Sequence, residues 1–171
     1  GYMNEHQLAI GETTFGGREE LENPEGMLHY ADLMRLALQR ARTAREAIEV
    51  MGGLVERHGY RSTGETFSIA DPLEAWVMEM IGPGPGRKGA AWVALRVPDG
   101  QICFHANKAR IGELVRGDPG RCRYSKLAVD LAVEQGYYDP DSGEPFRFCD
   151  VYDPPTPKSQ RYGETRVWSA F

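Results

Sequence analysis

Gly1 to Phe15 reads GYMNEHQLAIGETTF, and from Leu8 to Phe15 it alternates and is rich in small and β-branched residues, as a strand does. A polar Asn4-Glu5-His6 turn precedes that strand. Outward from it, a charged loop with Pro24 and several glutamates runs from Gly16 to Gly26. Apolar residues at Leu28, Leu33, Leu36, Ala37 and Leu38 predict a helix over Leu28 to Ala41. A second helix starts at Thr43, where Thr43-Ala44-Arg45-Glu46 fits a capping box, and Gly59 stops it. Ile48, Val50, Met51, Leu54 and Val55 form its apolar side. Gly52-Gly53 inside it costs about 1 kcal/mol per glycine relative to alanine.

The middle of the chain is rich in strands. Thr66 to Ala70 alternates, Asp71-Pro72 turns, and Ala75 to Ile81 continues as a strand. Gly82-Pro83-Gly84-Pro85-Gly86 makes a tight connection to a strand at Ala91 to Val97. Pro98-Asp99-Gly100 predicts a hairpin turn into a further strand, Gln101 to Phe104. A helix spans Ser125 to Gln135 and ends at Gly136, and Tyr138 to Gln160 reads as a long loop rich in proline and aspartate. A last helix opens at Thr165. Strand, two helices, a meander of strands and a helix predict a layered α+β architecture, with no repeat or interdomain linker.

The composition narrows the function. At 171 residues the chain can bury a core. A hydrophobic fraction of 41% with 26% charged residues reads as globular and not disordered. The net charge of -5 argues against a nucleic-acid binder. No apolar run approaches the roughly 20 residues that cross a bilayer. Homo-oligomerisation and compartment, cytoplasmic or secreted, stay open at this level.

Cys103, Cys122 and Cys149 cannot all pair, so a disulfide scaffold is disfavoured. Cys103 and His105 share one face of the expected strand, a geometry open to a thiol and its base. Cys122 lies in Arg121-Cys122-Arg123, where two cations would depress its pKa; Cys149 reads as packing. His6, His29, His58 and His105 lack metal-binding spacing. Asp139 to Glu144 resembles half a calcium loop with its glycine one place early, and reads as an acidic turn. The Gly82 to Gly86 run lacks the lysine-serine ending of a phosphate loop. No metal or cofactor is expected.

Asn4 to Phe15, His105-Ala106-Asn107-Lys108-Ala109-Arg110-Ile111 and Gly163-Glu164-Thr165-Arg166-Val167-Trp168-Ser169 form an ordered set. Together they resemble the dipeptidase A and secernin-like family of cysteine peptidases, with further agreement over Phe67 to Ile81, Ala91 to Ile111 and Arg161 to Phe171. The resemblance implies the layered αββα fold of N-terminal nucleophile hydrolases, two antiparallel sheets between helical layers. It implies hydrolysis of dipeptides through a thioester on a mature N-terminal cysteine, whose own α-amine, with a pKa near 8, serves as base. Alternatives within the resemblance are an amidase like bile salt hydrolases and penicillin V acylases, or a secernin-like interaction protein without activity.

The resemblance also assigns residues. The Asn107 side-chain amide supplies an oxyanion donor, Thr14 contributes to the oxyanion pocket, and Arg166 lies close to the nucleophile and favours its thiolate. Each has a plainer reading: an Asx turn for Asn107, a β-branched strand residue for Thr14, a surface pair with Glu164 for Arg166. Asn4-Glu5-His6 reads as a structural turn. No residue here stands for the nucleophile, and family members are considerably longer. The expectation is therefore one partial domain over residues 1–171, the middle of a longer peptidase, with the nucleophile segment upstream and a carboxyl-terminal part beyond.

Overall fold

The computed structural model describes residues 1–171. Six strands form one antiparallel sheet with neighbours in chain order: β1 (Tyr2–Met3), β2 (Ala9–Gly16), β3 (Gly64–Ala70), β4 (Ala75–Ile81), β5 (Ala91–Val97) and β6 (Cys122–Tyr124). Helices α1 (Tyr30–Arg40) and α2 (Ala44–His58) fill the connection from β2 to β3. After β6 come α3 (Leu127–Glu134), α4 (Phe148–Tyr152), and then α5 (Pro157–Ser159), a π-helical turn Gln160–Glu164 and α6 (Thr165–Trp168) in unbroken succession. The α+β class holds, built here on one sheet.

The period-2 alternation of the strands sorts side chains between two cores. Ile10 lies opposite Ile69, and Ile69 opposite Trp76; Phe67 lies opposite Met78, and Met78 opposite Ala94. These residues meet Leu33, Met34 and Ala37 of α1 and Ala47, Ile48, Met51 and Val55 of α2. The other face carries Phe15, Val77, Ile81, Ala91, Val93 and Cys122, packed against Ala128, Leu131 and Ala132 of α3 and Phe148, Val151 and Tyr152 of α4.

Local chemistry sets the helix starts. The His29 ring accepts from Ala31 N while Asp32 accepts from His29 N, a reciprocal cap on α1. Thr43 Oγ1 accepts from Glu46 N at 3.3 Å, and Glu46 reaches back one residue further than expected, to Arg42 N at 2.7 Å. Gly52 has a packing reason to interrupt α2, because a Cβ there would lie 2.8 Å from the Trp92 ring. Asn4 donates to Leu38 O and Ala41 O and accepts from His6 N and Leu8 N, tying the turn before β2 to the end of α1.

Three expectations fail on the second face. Gln101 to Phe104 is not a strand: the turn forms, with Gln101 N donating to Pro98 O, but the chain then leaves β5. The His105 ring draws the segment over β2 and β3, with Nδ1 2.9 Å from Thr13 Oγ1 and Nε2 2.7 Å from Ser68 Oγ. β6 takes the vacated edge, with Cys122 opposite Leu95. The long loop holds α4, whose apolar residues are buried although it spans only five residues. The last helix begins at Pro157, eight residues before Thr165, where Thr156 and Ser159 form a capping box with proline at the first helical position.

Candidate active site

Thr14 sits near the end of β2, beside an irregularity in the β2–β3 register between Thr14 and Gly16. β1 pairs only with Ala9 and Ile10, so Thr14 lies on an open edge of the sheet. Its carbonyl accepts from Asn107 Nδ2 at 2.5 Å, and its hydroxyl donates to Glu65 Oε2 at 3.0 Å. Glu65 is fully buried, and burial together with the neighbouring Glu12 carboxyl pushes it up to about 8. Thr14 is therefore gripped through both side chain and main chain.

Asn107 takes a left-handed backbone conformation, φ 42°, which asparagine tolerates better than most residues. The loop that presents it is fastened on both sides. His105 holds one side through Thr13 and Ser68. On the other, buried Lys108 pairs with buried Asp153 at 3.1 Å, and Asp153 also accepts from Ala109 N. Lys108 Nζ further donates to the Asp153 carbonyl. Glu79, wholly buried on β4, accepts from Arg110 N at 2.5 Å and Ile111 N at 3.0 Å. Burial outweighs those two bonds and lifts its pKa to about 7.

The third residue arrives from the π-helical turn. Gly163 faces this loop closely: a Cβ would lie 3.0 Å from Ala106 O and 3.1 Å from Lys108 Cβ. That approach lets Arg166 Nη2 donate to Asn107 Oδ1 at 2.8 Å, while its Nε donates to Tyr162 O. Arg166 does not pair with Glu164, which instead binds Arg110 at 2.9 Å. Thr14, Asn107 and Arg166 thus form one continuous hydrogen-bonded chain.

Thr14 and Asn107 line a cleft of about 760 Å³ with Gly16, Gly17, Asp153 and Tyr162 among its walls. The cysteines lie elsewhere. Both ring nitrogens of His105 are engaged, which leaves none to serve Cys103 as base. Burial raises the Cys103 and Cys122 thiols, so the arginines flanking Cys122 do not depress it. Cys149 is pushed up to about 12, first by burial and then by Asp150, which accepts from its sulfur at 3.3 Å. None of the three is an activated thiolate.

Sequence reading missed Glu65, Glu79 and the Lys108–Asp153 pair. For Glu79 a signal existed: one acid inside the otherwise apolar strand Ala75–Ile81 is costly unless it meets donors.

The family model described as Peptidase family C69 matches residues 1–171. The chain is 31% identical over 169 residues to a protein named Probable dipeptidase from Salmonella dublin, covering 95% of this chain and 36% of that protein. It is 26% identical over 178 residues to a Probable dipeptidase of Latilactobacillus sakei, covering 98% of this chain and 35% of the relative. To Dipeptidase A of Lactobacillus helveticus it is 28% identical over 149 residues, 86% of this chain and 29% of that one. The chain spans about a third of the length of the curated relatives it matches.

Proposed function

This chain belongs to peptidase family C69, and from that premise we propose that the protein acts as a cysteine-type dipeptidase. The proposal includes the layered αββα arrangement, the single sheet seen here being one of its two. The nucleophile is a cysteine other than Cys103, Cys122 and Cys149, carried at the mature amino terminus of a longer polypeptide. Its α-amine takes the thiol proton, and the thiolate sulfur attacks the peptide carbonyl carbon. The C–N bond then breaks as the leaving amine takes that proton, and water hydrolyses the thioester.

The observation that carries this reading is the fixed orientation of Asn107. Arg166 holds the side-chain oxygen, so the amide nitrogen is directed to the β2 edge, where one of its two hydrogens engages Thr14 O. The second hydrogen is the oxyanion donor, and donors set before reaction stabilise the developing charge without reorganisation. Thr14 forms the wall of that pocket. Arg166 adds a cation that favours the thiolate. The dipeptidase names of the relatives support the substrate class.

The test is hydrolysis of Ala-Leu, a bile salt and penicillin V by the polypeptide carrying the upstream cysteine. Cleavage of the dipeptide that iodoacetamide abolishes is the expected result. Preference for the bile salt or penicillin V would replace it with the amidase reading, and no cleavage of any would remove the enzyme reading.

A further inference from the structure

Five charged side chains line the cleft that holds Thr14 and Asn107: Arg18, Glu19, Glu20, Asp153 and Lys158. Three are already committed within the chain. Arg18 approaches Glu20 at 3.6 Å, lies 3.7 Å over the Tyr137 ring and donates to Val151 O, while Glu20 also accepts from Tyr137 Oη at 2.9 Å. Asp153 is held by Lys108 and Ala109 N.

Glu19 and Lys158 enter no ion pair and no side-chain hydrogen bond, with each other or with any neighbour. Their backbones are nevertheless set. Glu19 opens a 3₁₀ turn in which Glu22 N donates to Glu19 O, and Arg18 N ahead of it is bonded to Tyr152 O at 3.1 Å. Lys158 sits in α5, inside the Thr156–Ser159 capping box. One negative and one positive side chain, each exposed on a held backbone, therefore face the same cleft unneutralised.

Opposite charges left free on one concave surface select ligands with the complementary pair. We propose that Glu19 receives the α-ammonium and Lys158 the α-carboxylate of a zwitterionic dipeptide lying along the cleft past Asn107. The assignment rests on the peptidase reading of the same site and deepens it. A substrate blocked at either end forfeits one contact, so the cleft discriminates free dipeptides from acylated or amidated ones.

The test is equilibrium binding, by titration calorimetry on the full chain, of the uncleavable ketomethylene isostere of Ala-Leu, its N-acetyl form and its carboxamide. The expected result is weaker binding of each blocked form. Glu19→Gln weakens the free isostere about threefold and leaves the N-acetyl form unchanged, as exposed ion pairs of modest strength do. Lys158→Met does the same for the free isostere, about threefold, and leaves the carboxamide unchanged. Charge reversal, Glu19→Lys, enlarges the first loss. Equal affinity for all three forms, equal shifts in all three on substitution, or no binding would overturn the assignment. Hydrolysis of Ala-Leu by the cysteine-bearing polypeptide is scored separately. Hydrolysis with charge-blind binding sinks the assignment alone; charge-selective binding without hydrolysis sinks the peptidase reading alone.

Discussion

The Arg166 guanidinium donates to the side-chain oxygen of Asn107 at 2.8 Å, and with the bond from Asn107 Nδ2 to Thr14 O it sets which end of the amide faces the β2 edge. An asparagine free to rotate would offer an oxyanion its oxygen as often as its nitrogen. Held this way, it offers only donors.

Asn107→Ala in the cysteine-bearing polypeptide lowers kcat about a hundred- to a thousandfold, the usual loss of one oxyanion donor. KM changes little, because the donor acts most on the charged transition state. Asn107→Gly is the matching control, since it keeps the left-handed backbone at φ 42° without strain. Steady-state kinetics showing full activity in the glycine variant would remove the amide from the mechanism.

Arg166→Ala should cost activity in two ways, by freeing the Asn107 amide and by removing a cation beside the nucleophile. With Asn107 present, kcat falls about tenfold or more; in the Asn107→Ala background the further loss is much smaller, the non-additivity of side chains in contact. The second readout is alkylation of the nucleophile. Loss of the cation raises its apparent pKa and slows iodoacetamide at neutral pH. Additive losses with an unaltered alkylation profile would reduce Arg166 to a surface residue.

The 171-residue chain by itself should hydrolyse no dipeptide, because burial raises all three of its thiols. Iodoacetamide followed by mass spectrometry should label Cys103, which is exposed, slowly at neutral pH. Cys149, buried with its thiol pushed up to about 12, stays unlabelled in the folded chain. Rapid labelling of Cys103 together with peptide cleavage would make that residue the nucleophile.

Glu65 gives stability a pH dependence of definite sign. Its carboxyl, pushed up from 4.5 to about 8 by burial and Glu12, keeps its proton in the folded chain at pH values where the unfolded chain has lost it. The folded state binds more protons between those limits, so stability falls as pH rises, by about 1.4 kcal/mol per unit. The contribution is whole below about pH 4.5 and spent above about pH 8. Urea midpoints measured across this range should decline less steeply in Glu65→Gln than in the unsubstituted protein. Parallel curves would show that Glu65 is already ionised in the folded state.

Gly163→Ala places a methyl 3.0 Å from Ala106 O and 3.1 Å from Lys108 Cβ. Overpacking of this kind costs about 1–3 kcal/mol. The π-helical turn then moves away from Asn107, so kcat should fall along with the thermal midpoint. A variant with unchanged stability and kcat would show that the two segments yield to each other freely.

Much of the fold was legible because its central elements obey simple periods. The strand at Leu8 to Phe15, both helices after it and the strands of Thr66 to Val97 follow alternation or helical spacing, most of them over seven residues or more. The exceptions are short or governed by distant partners. β6 and α4 span three and five residues, too few for a period to show. Gln101 to Phe104 alternates like a strand, but the two bonds of His105 to Thr13 and Ser68 pull the chain off the sheet edge. Pro154, Pro155 and Pro157 read as part of a loop, whereas Pro157 starts a helix. The site was harder still. Thr14, Asn107 and Arg166 lie far apart in sequence, and only resemblance grouped them. Glu65 came from burial, which a sequence states indirectly.

The two cores have a kinetic consequence. β4 sends side chains into both cores, so its amides should exchange with solvent only when the whole domain opens. The loop from His105 to Ile111 has no ladder of its own and hangs on side-chain bonds to Thr13, Ser68, Glu79 and Asp153. Such a segment breathes on a shorter timescale than the sheet beneath it, releasing and re-seating Asn107 while the helical layer on the far face stays shut.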